Sequence, residues 1–394
     1  MARKAQLILV GGRPIPNVLT IIHERPEVIV AICSKESIKQ EWPELKQAIQ
    51  RLSHTSDIQE AEVDAFDVDA VQKACELEFL RCPRAEWIFN VTTATSLMTL
   101  GAYKAAESCA KYPDASVRCW YLDTANARVI PLVGKGRDNS IFSITVDQYV
   151  AAYNYGLQDA SNIKDYQQRY LKEDWKAFAR RLGKNPQEAN LLKQVLIGSS
   201  RTAKRVVKSM EIHKFLQDLE AIGLVNKLRE DGNDLRFMLS EEQYKFLDGA
   251  WLELYVYQES KDSELFDNVQ WSKEIIDNDP DRTAKFPLQY KEMDVSLTYK
   301  ARLIIVECKT GKKGLESEPL DDIVTIADLI GRGFVVKILV TSQGLPAQMD
   351  ANQRASHQDF LTKAKRKGVF VVTQERLPQV GSILAEQAKI SPGR

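Results

Sequence analysis

Gln6-Leu7-Ile8-Leu9-Val10-Gly11-Gly12-Arg13-Pro14 is a short apolar run that stops abruptly on two glycines. Val28-Ile29-Val30-Ala31-Ile32 ends likewise in Cys33-Ser34, and Trp87-Ile88-Phe89-Asn90-Val91 ends in Thr92-Thr93. Cys119-Trp120-Tyr121-Leu122-Asp123 follows a helical stretch from about Thr95 to Lys111. Strands this apolar have no solvated face. Alternating with helices, they predict a parallel sheet covered on both sides. The N-terminal part, residues 1–156, therefore reads as a Rossmann-like α/β unit.

Outward from there the pattern changes. Residues 157–245 read as long helices with little strand signal, and Lys164–Lys208 carries 12 Lys/Arg against 4 Asp/Glu. Arg201, Lys204, Arg205 and Lys208 lie at helical spacing, which predicts one basic face. A helix over Ile212–Ile222 precedes two strands, Leu224–Arg229 and Leu235–Leu239, around the turn Glu230-Asp231-Gly232-Asn233. That order predicts a winged-helix-like segment. Residues 246–394 mix strands and helices again: a helix around Trp251–Gln258, strands Met293–Tyr299 and Arg302–Cys308, a helix near Pro319–Ile330 and a buried strand Val335–Thr341. A basic helix, Gln353–Lys367, and a strand, Val369–Thr373, follow, and the tail beyond about Gln387 is expected to fray.

The chain has 394 residues with 54 Lys/Arg balancing 54 Asp/Glu, so net charge identifies no partner. Six cysteines without a CxxC pair predict free thiols in a reducing cytoplasm. No apolar run is long enough to span a bilayer, and no signal segment opens the chain, so a cytoplasmic protein without membrane contact is expected. The four histidines are too scattered to suggest a zinc site.

Chemistry concentrates in Glu292-Met293-Asp294-Val295-Ser296-Leu297-Thr298-Tyr299-Lys300-Ala301-Arg302-Leu303-Ile304-Ile305-Val306-Glu307-Cys308-Lys309. A hairpin centred on Lys300-Ala301 pairs Tyr299 with Arg302, Ser296 with Ile305, and Asp294 with Glu307. Alternation puts Asp294, Glu307 and Lys309 on one face. Lys-Ala is not a favoured two-residue turn, so a wider loop is expected, with the register preserved. Two such carboxylates call for a cation between them, and hard oxygen ligands suit Mg²⁺ or Mn²⁺. An adjacent ammonium can orient an attacking water or stabilise charge developing on phosphorus.

Asp294…Glu307-Cys308-Lys309 resembles the D…ExK core of the PD-(D/E)xK nucleases, a restriction-endonuclease-like α/β fold. In that superfamily a further acid commonly comes from a preceding helix, which points to Glu253 in Gly249-Ala250-Trp251-Leu252-Glu253. The order Gly-x-Trp-Leu-Glu, Met-Asp-Val, Glu-Cys-Lys-Thr is similar to CRISPR ancillary nucleases that join an N-terminal CARF sensor to such a core. The resemblance implies Asp294, Glu307, Lys309 and Glu253 as catalytic residues, with Asp294 and Glu307 holding the metal. It also implies a homodimer acting on DNA and/or RNA in type III CRISPR antiviral defence. The implied activator is a cyclic oligoadenylate, with cyclic tetra-adenylate the expected ring.

In open α/β sheets ligands bind beyond the carboxyl ends of the strands, where helix N-termini favour phosphate. The expected activator-binding residues are Gly11, Gly12, Arg13, Pro14, Ser34, Asn90, Thr92, Thr93 and Thr95. Asn90-Val91-Thr92-Thr93-Ala94-Thr95-Ser96-Leu97-Met98 resembles the CARF form Asn-x-Thr-Gly-Gly-Thr-Lys-x-Met, departing at Thr93, Ala94 and Ser96. With no lysine at 96, cleavage of the activator by the sensor is not expected. The competing reading is a ligand-controlled DNA-binding regulator with an inactive nuclease core, which the intact Asp294, Glu307 and Lys309 oppose. A nucleotide-dependent oxidoreductase is disfavoured, because Gly11-Gly12-Arg13-Pro14-Ile15-Pro16 is no GxGxxG.

Overall fold

The computed structural model describes residues 3–53, 57–134, 140–160, 167–197, 202–278, 291–311, 315–331, 334–344 and 351–390. The N-terminal sheet runs β3-β2-β1-β4-β5-β6, with β1 at Lys4–Leu9, β2 at Val28–Ser34, β3 at Asp57–Val63, β4 at Glu86–Asn90, β5 at Ser116–Asp123 and β6 at Arg128–Val133. All pairs are parallel except the β5–β6 hairpin. The expected Rossmann-like unit is present, and its strand order reverses between β1 and β4.

Next comes β7, Tyr155–Asp159, which pairs antiparallel with the strand Asn268–Asp277 (β11) of the C-terminal sheet. The boundary expected between residues 156 and 157 thus falls inside a strand of the second sheet. The middle region holds helices Glu173–Lys184, Pro186–Leu196 and Met210–Ala221 beside a three-stranded antiparallel sheet, β8-β10-β9. Here β8 is Ala203–Val207, β9 Asn226–Asp231 and β10 Asp234–Met238, and Gly232 takes φ 61 in the β9–β10 turn.

The helical basic face expected there is corrected, because Lys204, Arg205 and Val207 lie on a strand. Lys204 is buried and donates to the Leu196 carbonyl (2.7 Å), Arg205 pairs with Asp234, and Lys208 pairs with Glu230 (2.6 Å). Apolar Val206 and Val207 between the charges favour extended backbone over helix. Arg201, Lys164, Lys312, Lys313 and Arg332 lie outside the described residues.

The C-terminal sheet runs β15-β14-β13-β12-β11-β7. Its strands are β11 (Asn268–Asp277), β12 (Lys291–Tyr299), β13 (Arg302–Lys309), β14 (Val336–Thr341) and β15 (Val369–Val372). β13, β14 and β15 are parallel; β11, β12 and β13 are antiparallel. Both faces are covered, by different parts of the chain. Val295, Leu297, Ile304 and Val306 join a core with the middle helices. Leu303, Ile305 and Leu339 join one with Ile15, Val18 and Leu19 of the N-terminal unit. The last helix, Val380–Lys389, does not fray at Gln387; Leu384 and Ala388 are fully buried. Among the described residues no helix is long and apolar enough to cross a membrane. All six cysteines are free.

Candidate active site

The β12–β13 hairpin has the predicted register, with Tyr299 opposite Arg302 and Ser296 opposite Ile305. Its loop is not wider than two residues. Lys300 and Ala301 take φ 44 and 68, the paired left-handed conformation of a type I′ turn. Clamping of the tip explains how residues other than Asn and Gly are held there. Ala301 is buried, and the Lys300 N–H donates to Asp267 (2.7 Å). The Arg302 guanidinium donates to the carbonyls of Ala388 (2.9 Å) and Ile390 (3.0 Å) and to that of Ala125 in the β5–β6 turn.

At the other end of this hairpin the strands turn ionic. Asp294 is 5% and Glu307 4% exposed, too buried for an ordinary surface ion pair. Lys309 Nζ lies 2.6 Å from Glu307 Oε1 and 3.7 Å from Asp294 Oδ2, while the Cys308 N–H donates to Asp294 Oδ2 (2.6 Å). Glu307 Oε2 has no hydrogen-bond partner. Glu253 sits in the first turn of the helix Trp251–Asp262, where its carboxylate accepts from the Trp271 indole N–H (3.1 Å). The four predicted residues therefore meet at one end of the β12–β13 hairpin, in the middle of the sheet.

The tightest acidic cluster differs from the expected pair. Carboxylate oxygens of Glu253, Glu292 and Asp294 lie within 4.8 Å of one another, a spacing that fits a single hard cation. Glu307 is turned towards Lys309 instead. Burial, then the neighbouring Asp294 charge, pushes Glu292 up to about 7 and Glu307 up to about 8. Burial raises Asp294, and burial with the charges of Asp294 and Glu292 raises Glu253 strongly. Burial opposes the Lys309 charge, but Asp294 and Glu307 outweigh it and hold the ammonium protonated. Closely packed carboxylates that resist ionisation are what a divalent cation relieves.

Glu292 was missed by sequence reasoning, although it stands two residues before Asp294 and alternation could have flagged it. Strand β11 was missed too. Its polar residues serve the site: Ser272 Oγ donates to Glu292 (2.6 Å), and Trp271 reaches Glu253. Ser272 takes φ 49 inside the strand, a left-handed conformation that costs a non-glycine residue energy and recurs at functional sites.

In the N-terminal unit, the loops after β1 and β4 meet at the strand-order reversal. A Cβ at Gly11 would lie 1.6 Å from the Thr93 carbonyl oxygen, so only glycine permits this approach. Asn17 donates to the Leu9 carbonyl (2.8 Å) and to Thr93 Oγ1 (3.1 Å); Thr93 donates to Leu9. Asn90 is fully buried and donates to the Pro16 carbonyl (2.9 Å) and Asn17 Oδ1 (3.0 Å). Thr92 Oγ1 donates to Asn90 (2.6 Å) and accepts from the Leu122 N–H (3.0 Å). Ser34 is buried and exchanges hydrogen bonds with Ser37. Gly12, Arg13 and Thr95 remain exposed on the rim and Pro14 is half-buried. Thr95 caps the helix Ser96–Cys109, and the Arg13 guanidinium stands 4.7 Å over the Phe334 ring of the C-terminal unit.

Residues 6–149 match the Card1 CARF domain, and residues 240–390 match the Card1-like endonuclease domain. The chain belongs to the Card1-like CARF endonucleases. Among solved structures, this Card1-like chain is similar to protein VC1899 from Vibrio cholerae, at 19% identity and a TM-score of 0.68, covering 99% of both chains. It is also similar to Can2 from Sulfobacillus thermosulfidooxidans, at 18% identity and a TM-score of 0.65, covering 98% of this chain and 99% of that one. A third structure, a type III CRISPR defence DNA nuclease activated by cyclic oligoadenylate, shares 15% identity at a TM-score of 0.51 over 89% of this chain and 48% of its own. These likenesses extend the shared fold through the middle region, which neither family match reaches. No curated protein matches the chain.

Proposed function

We propose that this endonuclease hydrolyses phosphodiester bonds in DNA and/or RNA with Mg²⁺ or Mn²⁺, as a cytoplasmic homodimer switched on by a cyclic oligoadenylate in type III CRISPR defence. The observation that carries the reading is the cluster of Glu253, Glu292 and Asp294 beside the Lys309–Glu307 pair. Glu253, Glu292 and Asp294 would hold the divalent cation, which would supply Lewis-acid charge for phosphodiester hydrolysis. Lys309 orients the attacking water and stabilises the charge gathering on phosphorus. Glu307, whose second oxygen is free, accepts the water proton. Trp271 and Ser272 fix the acids, and the sheet's apolar faces exclude water around them.

The activator site lies at the Gly11–Pro14 and Thr92–Thr95 loops. Can2 was solved with cyclic tetra-adenylate, which makes that ring the first to test. Phe66 (74% exposed), Leu97 and Leu100 are apolar surface beside the same loops, suited to a two-fold partner that shares the ring. The division at residues 1–156, 157–245 and 246–394 separates sensing, connection and chemistry, with β7 tying the first to the last. Incubating the protein with cyclic oligoadenylates of several ring sizes, Mg²⁺ or Mn²⁺, and labelled DNA and RNA tests the whole reading. Cleavage that needs both metal and ring supports it; no cleavage under any combination overturns it.

A further inference from the structure

Beside the catalytic end of the hairpin a pocket of about 350 Å³ opens between the middle helix Pro186–Leu196 and the C-terminal sheet. Leu192, Leu196 and Leu247 line its apolar side. Thr310, Gly311 and Ser342 line the other, and the first two continue directly from Glu307-Cys308-Lys309. The pocket therefore begins where the catalytic strand ends.

Two polar groups in it have no task in the chemistry above. Half-buried Lys193 reaches across from the middle helix, and its ammonium donates to the Ser342 carbonyl. The Ser342 N–H in turn donates to the Lys309 carbonyl (3.2 Å). Ser342 is 1% exposed, yet its Oγ has no hydrogen-bond partner. A buried hydroxyl left unpaired is costly and marks a place where a ligand can complete the set. Burial pulls the Lys193 ammonium down to about 8 against the opposing charge of Glu375, so it stays largely protonated at neutral pH, and an arriving anion would hold that charge more firmly.

We propose that this pocket is a substrate subsite: it takes the nucleoside of the nucleotide next to the scissile phosphate, while Lys193 and Ser342 Oγ donate to that nucleotide's own phosphate. This rests on the nuclease reading, since a strand lying across Lys309 must send a neighbouring nucleotide along the same end of the sheet. The apolar wall suits a base and sugar, and the two donors suit a phosphate. Lys193 is then a positioning residue, and the middle region contributes directly to substrate binding.

The test uses the full-length protein with activator and a labelled single-stranded oligonucleotide. Binding is measured by anisotropy in Ca²⁺, and cleavage separately in Mn²⁺. Lys193→Met should weaken binding and raise KM about tenfold with kcat nearly unchanged, and should flatten the salt dependence of binding by roughly 0.7 in logarithmic slope. Lys193→Arg should restore most of the loss. Ser342→Ala keeps both backbone hydrogen bonds and removes only the unpaired hydroxyl, so it should weaken binding about threefold without lowering Tm. The subsite is refuted if Lys193→Met, still folded, keeps wild-type affinity and salt slope, or if it loses kcat and Tm together with the slope intact. Wild-type protein that binds the oligonucleotide through Lys193 but never cuts it would refute the nuclease reading instead.

Discussion

The two crevices of this chain dispose of polar side chains in opposite ways. At the carboxyl ends of β1 and β4, Asn17, Asn90, Thr92 and Thr93 bond to one another and to the Leu9, Pro16 and Leu122 backbone, leaving the rim to Gly12, Arg13 and Thr95. At the ionic end of β12 and β13, the carboxylates of Glu253, Glu292 and Asp294 crowd together and one oxygen of Glu307 bonds to nothing. In a crevice so satisfied the polar side chains are already committed to the fold, so on the proposed reading recognition of a ring would fall to backbone N–H groups and the shape of the two loops. A catalytic end so frustrated stores repulsion that a cation and a substrate release. Substitutions at the first should act through geometry, and substitutions at the second through charge.

The largest expected effect is at the acids. Asp294→Ala or Glu307→Ala should abolish cleavage to the limit of detection while leaving activator affinity and oligomeric state as they were. Gel-based cleavage, calorimetry and light scattering on one preparation check this. Near-normal metal-dependent cleavage by either variant would remove that residue from the chemistry. Lys309→Ala comes next, with a rate loss on the order of 10²–10³. Its Mn²⁺ affinity at pH 8.5 should not fall, because an ammonium repels the metal. Full rescue of its rate by saturating Mn²⁺ would make the lysine an organiser of metal ligands only.

How much of this was legible depended on which force wrote the signal. The hairpin register followed from alternation, so Asp294, Glu307 and Lys309 were found together, and Glu253 followed from a family resemblance. Strand β11 was hidden because Gln270, Ser272, Lys273 and Glu274 read as loop, whereas Trp271 and Ser272 work on the acids of the site. Strand β8 was hidden because its charges mimic helical spacing. The turn at Lys300-Ala301 was misjudged because its conformation is imposed by Arg302 and Asp267, contacts distant in sequence. Asn90, Thr92 and Thr93 were expected as ligand contacts from their place at a strand's carboxyl end and from the resemblance to the CARF form, and neither signal reveals that their side chains bond inwards.

The sensor gives a smaller effect and a sharper contrast. Thr92→Ala with Thr93→Ala removes hydroxyls that hold the β4 loop against Leu9, Asn90 and Leu122. Activator affinity should weaken about tenfold, the equivalent of roughly 1.4 kcal/mol of lost loop order. Thr93→Ser, which keeps the hydroxyl, should stay near wild type. Unchanged calorimetric affinity in the double variant would place the ring away from these loops.

The smallest expected effect is on stability, and it follows from counting protons. The folded protein holds Glu292 up to about 7 and Glu307 up to about 8, above the usual carboxylate value near 4.5. Below pH 4.5 both states carry the protons and the contribution of these groups to stability is complete. Between about pH 4.5 and 8 the unfolded chain has released protons that the fold still keeps, so stability falls as pH rises. Lys309 stays charged in both states across that window and contributes no slope. Metal-free protein should therefore lose Tm steadily between pH 5.5 and 8.5. Glu292→Gln removes one of the titrating groups and should flatten that loss by about 2 °C, so the measured quantity is the difference between variant and wild type at each pH. Mn²⁺ should restore Tm at pH 8.5 in the wild type, where it replaces the missing protons, and do less at pH 5.5, where protons compete for the same oxygens. Parallel pH profiles for the two proteins, or equal stabilisation by Mn²⁺ at both pH values, would mean that the repulsion among these acids is relieved by something other than protons and metal.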